Sequence, residues 1–375
     1  MAEHNTVFLI IIFSLFVLAA AIQLFYYLFF YLPVYSEKPS VKENKPPVSV
    51  IICARNEAEN LAGFLPSVLE QDYPDYEVIV VNDCSEDESY DILGGFLEQY
   101  PHLRISTITK DPKFTHNKRF AQFIGIKAAK NEVLVFTDAD CQPASSKWLE
   151  GIASHFDDNT TFVLGYGGYL KEKGILSKYI SYDTMVIAMQ YLGMALRGFP
   201  YMGVGRNLAY RRSLFFDNKG FGAHNQLISG DDDLFVNTHA NEVNTCVEYR
   251  AETHTRSVPA KGIDDWIAQK KRHFTTAPLY KTRDKILLLL EPSSRVVFYI
   301  SFIVLISFTF LWPYVISVFV IRLAAEITIF TLVQKRLNED GMTGWALAFD
   351  FISPFVNAFL FFTNIVRKPG NNRWK

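Results

Sequence analysis

Basic charge is not in excess in this chain: 37 Lys and Arg stand against 39 Asp and Glu, a formal net charge of -2. That balance argues against a nucleic-acid partner, which would want a basic surface. Cysteine is scarce, and Cys53, Cys84, Cys141 and Cys246 stand too far apart for metal-ligand spacing. They read as reduced structural thiols of a cytosolic compartment. The histidines form no H-x-H or H-x-x-x-H pair, which speaks against a zinc site. After the first strand the chain has Ala54-Arg-Asn-Glu-Ala58 rather than G-x-G-x-x-G, and it has no P-loop. A dinucleotide-dependent dehydrogenase is thereby disfavoured, and any diphosphate charge must be met by something other than a glycine cradle. There is no internal repeat and no low-complexity tract.

What the chain does have is apolar length. Its hydrophobic content is 49%, with 32 Phe, high for a soluble protein and unevenly spread. Val7 to Leu32 is nearly uninterrupted, with Gln23 its clearest polar break. At about 1.5 Å per residue such a run crosses a ~30 Å hydrocarbon core. The competing reading, a cleaved signal peptide, fits poorly: the run is long, has no basic residue before it and no small-residue cleavage site. From Val296 to Val333 the chain is apolar again, read as two spans joined by a tight turn near Pro313 or slightly later. Arg322 and Glu326 lie inside it, and buried charges in a span face other helices or water. Trp345 to Val366, broken by Asp350 and Pro354, is a third span or a re-entrant hairpin. Arg295, Lys335, Arg336, Arg367 and Lys368 flank these segments. Placing all of them in the cytoplasm favours a re-entrant or interfacial last segment.

Between the apolar parts, strand and helix signals alternate. Strands are expected at Val48–Cys53, Glu77–Val81 and Leu103–Thr107, and from Val133 into Asp138. Helices are expected at Glu57–Glu70, Ser89–Gln99 and Phe120–Lys130. This order implies a mostly parallel sheet with helices on both faces, and ligands of such sheets sit beyond the carboxyl ends of the strands. Polar residues gather there: Arg55, Asn56 and Glu57, then Asn82, Asp83, Ser85 and Asp87, then Asp138 and Asp140. Singly each also suits turn and N-cap chemistry. Asp138 and Asp140 are the sharpest signal. Two carboxylates ending an apolar strand are costly to desolvate without a partner, and they suit a hard divalent cation carrying a diphosphate.

Six ordered segments carry a family resemblance. They are Val48-Ser-Val-Ile-Ile-Cys-Ala-Arg-Asn-Glu57, Val80-Val-Asn-Asp-Cys-Ser-Glu-Asp87, Thr137-Asp-Ala-Asp140, Gly203-Val-Gly-Arg-Asn-Leu-Ala-Tyr-Arg-Arg212, Ser229-Gly-Asp-Asp-Asp-Leu234 and Gln269-Lys-Lys-Arg-His273. The chain resembles a family 2 glycosyltransferase of the membrane-bound synthase branch, with the cellulose, chitin, hyaluronan and poly-N-acetylglucosamine synthases. The resemblance implies an α/β fold of the GT-A type, with a mostly parallel central sheet and N- and C-terminal transmembrane helices. The implied domains are an anchor at 1–35, a linker at 36–47, a cytosolic GT-A domain at 48–260, an amphipathic interfacial segment at 261–291 and a membrane region at 292–375. The protein is then expected in the plasma membrane as a multi-pass protein with its catalytic domain in the cytoplasm.

The resemblance also implies roles. Asp83, the Ala54 backbone, Arg55 and Glu57 would meet the nucleoside of a UDP-sugar, UDP-GlcNAc being one such donor, with Lys118 close by. Asp138 and Asp140 would place Mg²⁺ or Mn²⁺ on the diphosphate. Asp232, beside Asp231, would be the general base of an inverting displacement, and repulsion among Asp231, Asp232 and Asp233 should raise at least one of their pKa values. The competing reading of this triplet is a helix N-terminus, and both readings can hold together. Gln269 and Arg272 would close over the nucleotide on an amphipathic helix at the membrane surface, Ile263 to Phe274, whose competing reading is a simple interfacial helix with solvated Lys and Arg. His273 stands where the family has Trp, which puts acceptor identity in question. Arg206, Arg211 and Arg212 meet phosphate or acceptor, or else form surface salt bridges. Tyr166, Tyr169 and Tyr201 line a sugar path or pack the core. Expected partners are a nucleotide-sugar donor, a polysaccharide or lipid-linked acceptor, membrane lipids, and export or synthase-complex subunits. The contrasting expectation is a non-catalytic membrane subunit that binds nucleotide sugar.

Overall fold

The computed structural model describes residues 2–38, 44–110, 117–218, 220–221, 230 and 232–366. Asp231, Ser229, Arg367, Lys368 and the middle of the 36–47 linker lie outside the described residues. The chain begins in a long apolar helix, α1 (Ala2–Phe25), which passes through a π-helical turn (Tyr26–Tyr31) into α2 (Leu32–Ser36). The expected alternation follows as β1 (Val48–Ala54), α3 (Ala58–Leu69), β2 (Tyr76–Asp83), α4 (Ser89–Gln99), β3 (Leu103–Ile108), α5 (Lys118–Ala128) and β4 (Val133–Asp138). The next elements are β5 (Cys141–Pro143), α6 (Trp148–Ala153), β6 (Phe162–Gly165), β7 (Gly167–Tyr169), α7 (Ile175–Leu196), β8 (Leu208–Arg211), α8 (Arg212–Asp217), α9 (Asp233–His239), β9 (Thr245–Glu248) and β10 (Thr255–Ser257). Four helices close the chain: α10 (Ile263–His273), α11 (Thr282–Ser307), α12 (Trp312–Leu337) and α13 (Thr343–Val366).

Seven strands form one sheet in the order β3-β2-β1-β4-β8-β6-β9, and a small sheet runs β5-β10-β7. The first four are parallel, β8 is antiparallel to both neighbours, and β6 and β9 pair in parallel. Side-chain alternation along β1 builds two cores. Val48, Val50 and Ile52 pack with Leu61, Leu65 and Trp148 on one face. Ile51 and Cys53 pack with Ile126, Phe136 and Met189 on the other. On that side α5 comes close to the sheet at Gly125, where a Cβ would stand 2.6 Å from the Ile51 side chain. Because β1 and β4 are central and parallel, their carboxyl ends open side by side (Cys53 pairs with Asp138) into one cleft.

Four helices among the described residues are long and apolar enough to cross a membrane: His4–Ser36, α11, α12 and Thr343–Thr363. This is a membrane protein. The turn between α11 and α12 falls just before Pro313, and the proline occupies the first turn of α12, where its missing N–H costs nothing. The 291/292 boundary falls inside α11, because Asp284, Glu291 and Arg295 are buried in a continuous helix rather than solvated. The last segment is not a hairpin. It is one helix with Pro354 inside, and it touches α7 and the end of α10: Lys178 lies 4.7 Å over Trp345, and Phe274 meets Phe361 edge-on at 6.1 Å.

The apolar helices are pinned by charge. Arg322, only 1% exposed, donates to Gln23 (2.7 Å) and Tyr27 (2.6 Å) of the N-terminal segment, to Asp350 of α13 (2.6 Å) and to Glu326 one turn on. Arg295 pairs with Glu291 and with Asp350 (3.2 Å). It is therefore no free cytoplasmic flank, as the sequence had suggested, but part of the bundle interior. Replacing Arg322 by Leu leaves Glu326 and Asp350 without their cation, and removing one partner of a buried pair costs about 3–5 kcal/mol. Arg322→Leu is expected to lower the unfolding midpoint of the detergent-solubilised protein clearly. An unchanged midpoint would show that the network is not holding the bundle.

Candidate functional site

The first two strand ends are stitched to each other. The Asn56 N–H donates to Ser85 Oγ (2.9 Å), and Asn56 Oδ1 accepts from the Glu86 N–H (2.8 Å). Glu57 N–H donates to Ser89 Oγ (3.1 Å) and Ala58 N–H to Asp87 Oδ2 (3.0 Å). For Asn56, Ser85 and Asp87 the turn-and-cap reading is the right one. Both Asn56 and Cys84 take positive φ, at 53° and 55°, to make these turns. Asp83, at the end of β2, is fully buried with Arg55 4.0 Å away, and the Ala54 backbone at the end of the neighbouring β1 is buried too. Glu57 is the N-cap residue of α3. Burial pushes its carboxyl up against a hydrogen bond from Asn60, and Asp140 and Asp138 push further.

The carboxylates of Asp138 and Asp140 and the Cys141 thiol have ligand atoms within 4.8 Å of one another. A thiol is a poor ligand for a hard cation, so within this set it is the two aspartates that would suit one. Their environments differ. Burial opposes the Asp138 carboxylate, but Lys118 at 2.5 Å, Arg206 and Arg272 outweigh it and hold it below the ordinary range. Asp140 is pushed up by burial and then by Asp138, and the Ser257 hydroxyl donates to it at 2.8 Å.

The far wall of the cleft comes from the loop before β8 and from α9 and α10. Asn207, buried between strands, donates to the Tyr166 and Thr253 carbonyls and accepts from the Trp148 indole at 3.0 Å, which fixes this loop. Arg206 beside it places its guanidinium 4.6 Å over the Tyr169 ring. Gln269 donates to the Tyr169 hydroxyl at 3.0 Å. Arg206 thus faces the cleft, whereas Arg211 and Arg212 bond backbone carbonyls of Asp157, Thr160 and Ile126 outside it. Neither expectation for that pair, phosphate or surface salt bridge, describes them. Tyr166, Tyr169 and Tyr201 are all buried in the core, and Tyr169 also lines the cavity beside Arg206, Gln269 and His273.

Asp232 caps α9. Its carboxylate accepts from the Gly205 N–H (2.7 Å) and the Asp233 N–H (2.8 Å). A Cβ on Gly205 would lie 3.0 Å from that carboxylate and 3.6 Å from the Lys118 ammonium, so Asp232 opens on the same cleft as Asp138. The expected pKa rise falls on Asp233, which burial and then Asp232 drive up to about 7, against hydrogen bonds from Thr276 (2.5 Å) and Tyr280 (2.7 Å).

On α10, Arg272 and His273 reach the cleft from the end of the helix. The surrounding protein, then Lys270, Arg272, Arg206 and Lys118, push the His273 imidazole below its ordinary range, which keeps it neutral. The buried side of α10 packs on protein. Trp266 packs edge-on to Tyr179 at 5.4 Å, Phe274 meets α13, and Lys270 is buried against Asp183 at 2.7 Å; of Ile263, Trp266, Ile267, Lys270 and Phe274, which suggest the amphipathic stripe, Ile263 alone is strongly exposed. The helix is amphipathic because it packs on α7 and α13. Sequence reasoning missed Ser257, Asn207 and Asp183, since Ser257 lies 117 positions from Asp140 and no spacing rule links them.

Residues 49–216 match the model of glycosyl transferase family 2. This region is a family 2 glycosyltransferase domain. The chain is 38% identical over 107 residues to Glycosyltransferase AglE of Haloferax volcanii, covering 28% of this chain and 34% of that protein. It is 24% identical over 212 residues to UDP-Glc:alpha-D-GlcNAc-diphosphoundecaprenol beta-1,3-glucosyltransferase WfaP of Escherichia coli, covering 52% of this chain and 79% of that protein. For AglE and further curated relatives the match spans about half of their length or less. Among solved structures, Mannosyltransferase PcManGT from Pyrobaculum calidifontis, in complex with GDP-Man and Mn2+, aligns with a TM-score of 0.58 at 18% identity, over 94% of this chain and 98% of that one. The fold is GT-A, as the resemblance implied.

Asp233 generates a pH prediction. Folded, it keeps its proton up to about pH 7, whereas an unfolded aspartate releases it near pH ~3.9. The folded state binds more protons between those limits, so stability falls as pH rises through that window. In Asp233→Asn this contribution is absent. Unfolding midpoints across that range should show wild type losing ground to the variant as pH rises; a constant difference would rule out the titration.

Proposed function

We propose that this protein is a membrane-bound inverting glycosyltransferase. It moves a sugar from a nucleotide donor, UDP-linked and of the UDP-GlcNAc or UDP-glucose kind, to a hydroxyl of a polysaccharide or lipid-linked acceptor at the membrane. One observation carries the reading: the Asp138–Asp140 pair, the cations Lys118, Arg206 and Arg272, and the capped Asp232 carboxylate converge on one cleft at the ends of β1 and β4. The two aspartates suit Mg²⁺ or Mn²⁺, being hard oxygen donors close together. Bound there, the ion would act as a Lewis acid on the diphosphate.

The chain's own groups then divide the work. Asp83, Arg55, Glu57 and the Ala54 backbone frame the nucleoside end. Lys118, Arg206 and Arg272 meet the diphosphate, Arg272 as a fixed fork of donors. Asp232 accepts the proton of the acceptor hydroxyl as its oxygen bonds to the anomeric carbon and the bond to the diphosphate breaks. Gln269, held on Tyr169, and the neutral His273 border the acceptor side. The contacts of α13 with the catalytic domain favour an interfacial placement for that helix, with α1, α11 and α12 crossing the plasma membrane and the catalytic domain in the cytoplasm. Export or synthase-complex subunits remain the partners that a polymer product would need.

The test is nucleotide release by the detergent-solubilised protein against a panel of nucleotide sugars, with Mn²⁺, Mg²⁺ or EDTA. One donor is expected to turn over in metal and not in EDTA. Asp232→Asn should lose about 10²–10⁴-fold, the usual share of a general base, and Asp140→Asn should lose activity with its metal. Full turnover in EDTA would falsify the metal reading, and full turnover by Asp232→Asn would remove the base.

A further inference from the structure

The strand β10 is three residues long and each side chain has a different tether. Thr255 and Ser257 point to one side, as alternate residues of a strand must. The Thr255 hydroxyl donates to the Arg206 carbonyl at 2.9 Å, and the Ser257 hydroxyl donates to Asp140 Oδ2 at 2.8 Å. Arg256 points the other way. There it pairs with Glu339, in the loop between α12 and α13, and donates to the carbonyls of Leu337 (2.9 Å) and Asn338 (3.2 Å). Glu339 is 1% exposed and also accepts from the Tyr166 hydroxyl at 2.7 Å. Its backbone N–H closes on Gln334 at 2.9 Å, so the carboxylate is fixed to the end of α12. The pair passes over Gly168, where any Cβ would overlap the Arg256 guanidinium and come 2.7 Å from Glu339.

We propose that Glu339 is a positioning residue for the metal site. Taking the reading of Asp138 and Asp140 as metal donors, Glu339 holds Arg256, Arg256 fixes β10, and β10 presents Ser257 to Asp140 and Thr255 to the backbone of Arg206. Arg256 divides its guanidinium between the Glu339 carboxylate and the Leu337 and Asn338 carbonyls, and removing either partner of the ion pair leaves a buried charge alone. Groups that orient a metal ligand change metal affinity by about 10–100-fold when lost. The loop between the membrane helices is on this account a part of the donor site, and the site is complete only when α12 and α13 are docked on the catalytic domain.

The experiment measures Mn²⁺ binding in the presence of UDP by loss of the free-ion EPR signal, on full-length protein in detergent. Ser257→Ala and Glu339→Gln are each expected to weaken binding about 10-fold. The double variant should be no weaker than Glu339→Gln alone, because Ser257 acts downstream of Glu339. A Glu339→Gln protein that binds Mn²⁺ like wild type overturns the proposal, even if its thermal midpoint drops, since that would be a structural role alone. A double variant weakened by the product of the single effects overturns it as well. If Glu339→Gln does not fold, Arg256→Lys keeps the charge and loses the fork; about 10-fold weaker Mn²⁺ binding is expected there, and unchanged binding overturns the idea. Asp140→Asn separates the two levels: if it binds Mn²⁺ normally, the metal reading itself has failed.

Discussion

Two carboxylates separated by one residue, at the mouth of a buried strand, repel each other where water screens them poorly. Asp138 and Asp140 are in that position, and much of the surrounding architecture offsets the repulsion. Lys118 reaches from the start of α5 to Asp138, and β10 brings a hydroxyl to Asp140. Arg206 is held over Tyr169 by a loop that Asn207 anchors in the core. The asymmetry is informative: one aspartate faces cations and is held low, while the other faces a neutral donor and is pushed up. A cation shared between them would relieve both, which is why the cleft makes chemical sense with a metal and little sense as packing.

The membrane helices follow the same logic of paired charge. Charged side chains within apolar segments persist where each has a partner on another helix. Arg322 gathers the N-terminal segment and α13 around α12, and Arg295 ties α11 to the same Asp350. At the domain boundary the pattern repeats where Arg256 meets Glu339, and Arg336 donates to the backbone carbonyl of Glu37 at the start of the linker. Buried ion pairs add little net stability, but they permit few alternative registers. The bundle and the catalytic sheet are therefore held in one relative arrangement, rather than joined by a loose tether.

The first half of the catalytic domain was legible because its signals are local. Apolar runs such as Val48–Cys53 and Val133–Thr137 match strands that are buried on both faces, and the polar residues after them mark the cleft. The Asp232 cap was legible for the same reason, since Asp-Asp-Asp-Leu opens a helix. What stayed hidden depends on distant pairing. Lys270 reads as a solvated charge on an amphipathic stripe until Asp183 appears beneath it, and Arg295 reads as a flanking basic residue until Asp350 is placed opposite. Periodicity shows that a helix has two faces. It does not say whether lipid or protein covers the apolar one, so α10 looked like a membrane-surface helix.

His273 follows from the same electrostatics. The family's tryptophan offers a neutral, flat, apolar ring. In this cleft the surrounding protein, and then the cations Lys270 and Arg272, hold the histidine below its ordinary pKa and so neutral. It therefore adds no charge to a region already rich in positive charge, and it retains a planar ring. It does bring ring nitrogens that form hydrogen bonds, which an indole offers only as a donor. On the proposed reading the acceptor side of the cleft then favours a partner with a hydroxyl or carbonyl beside the reacting group, and leans less on the broad apolar stacking that a tryptophan provides.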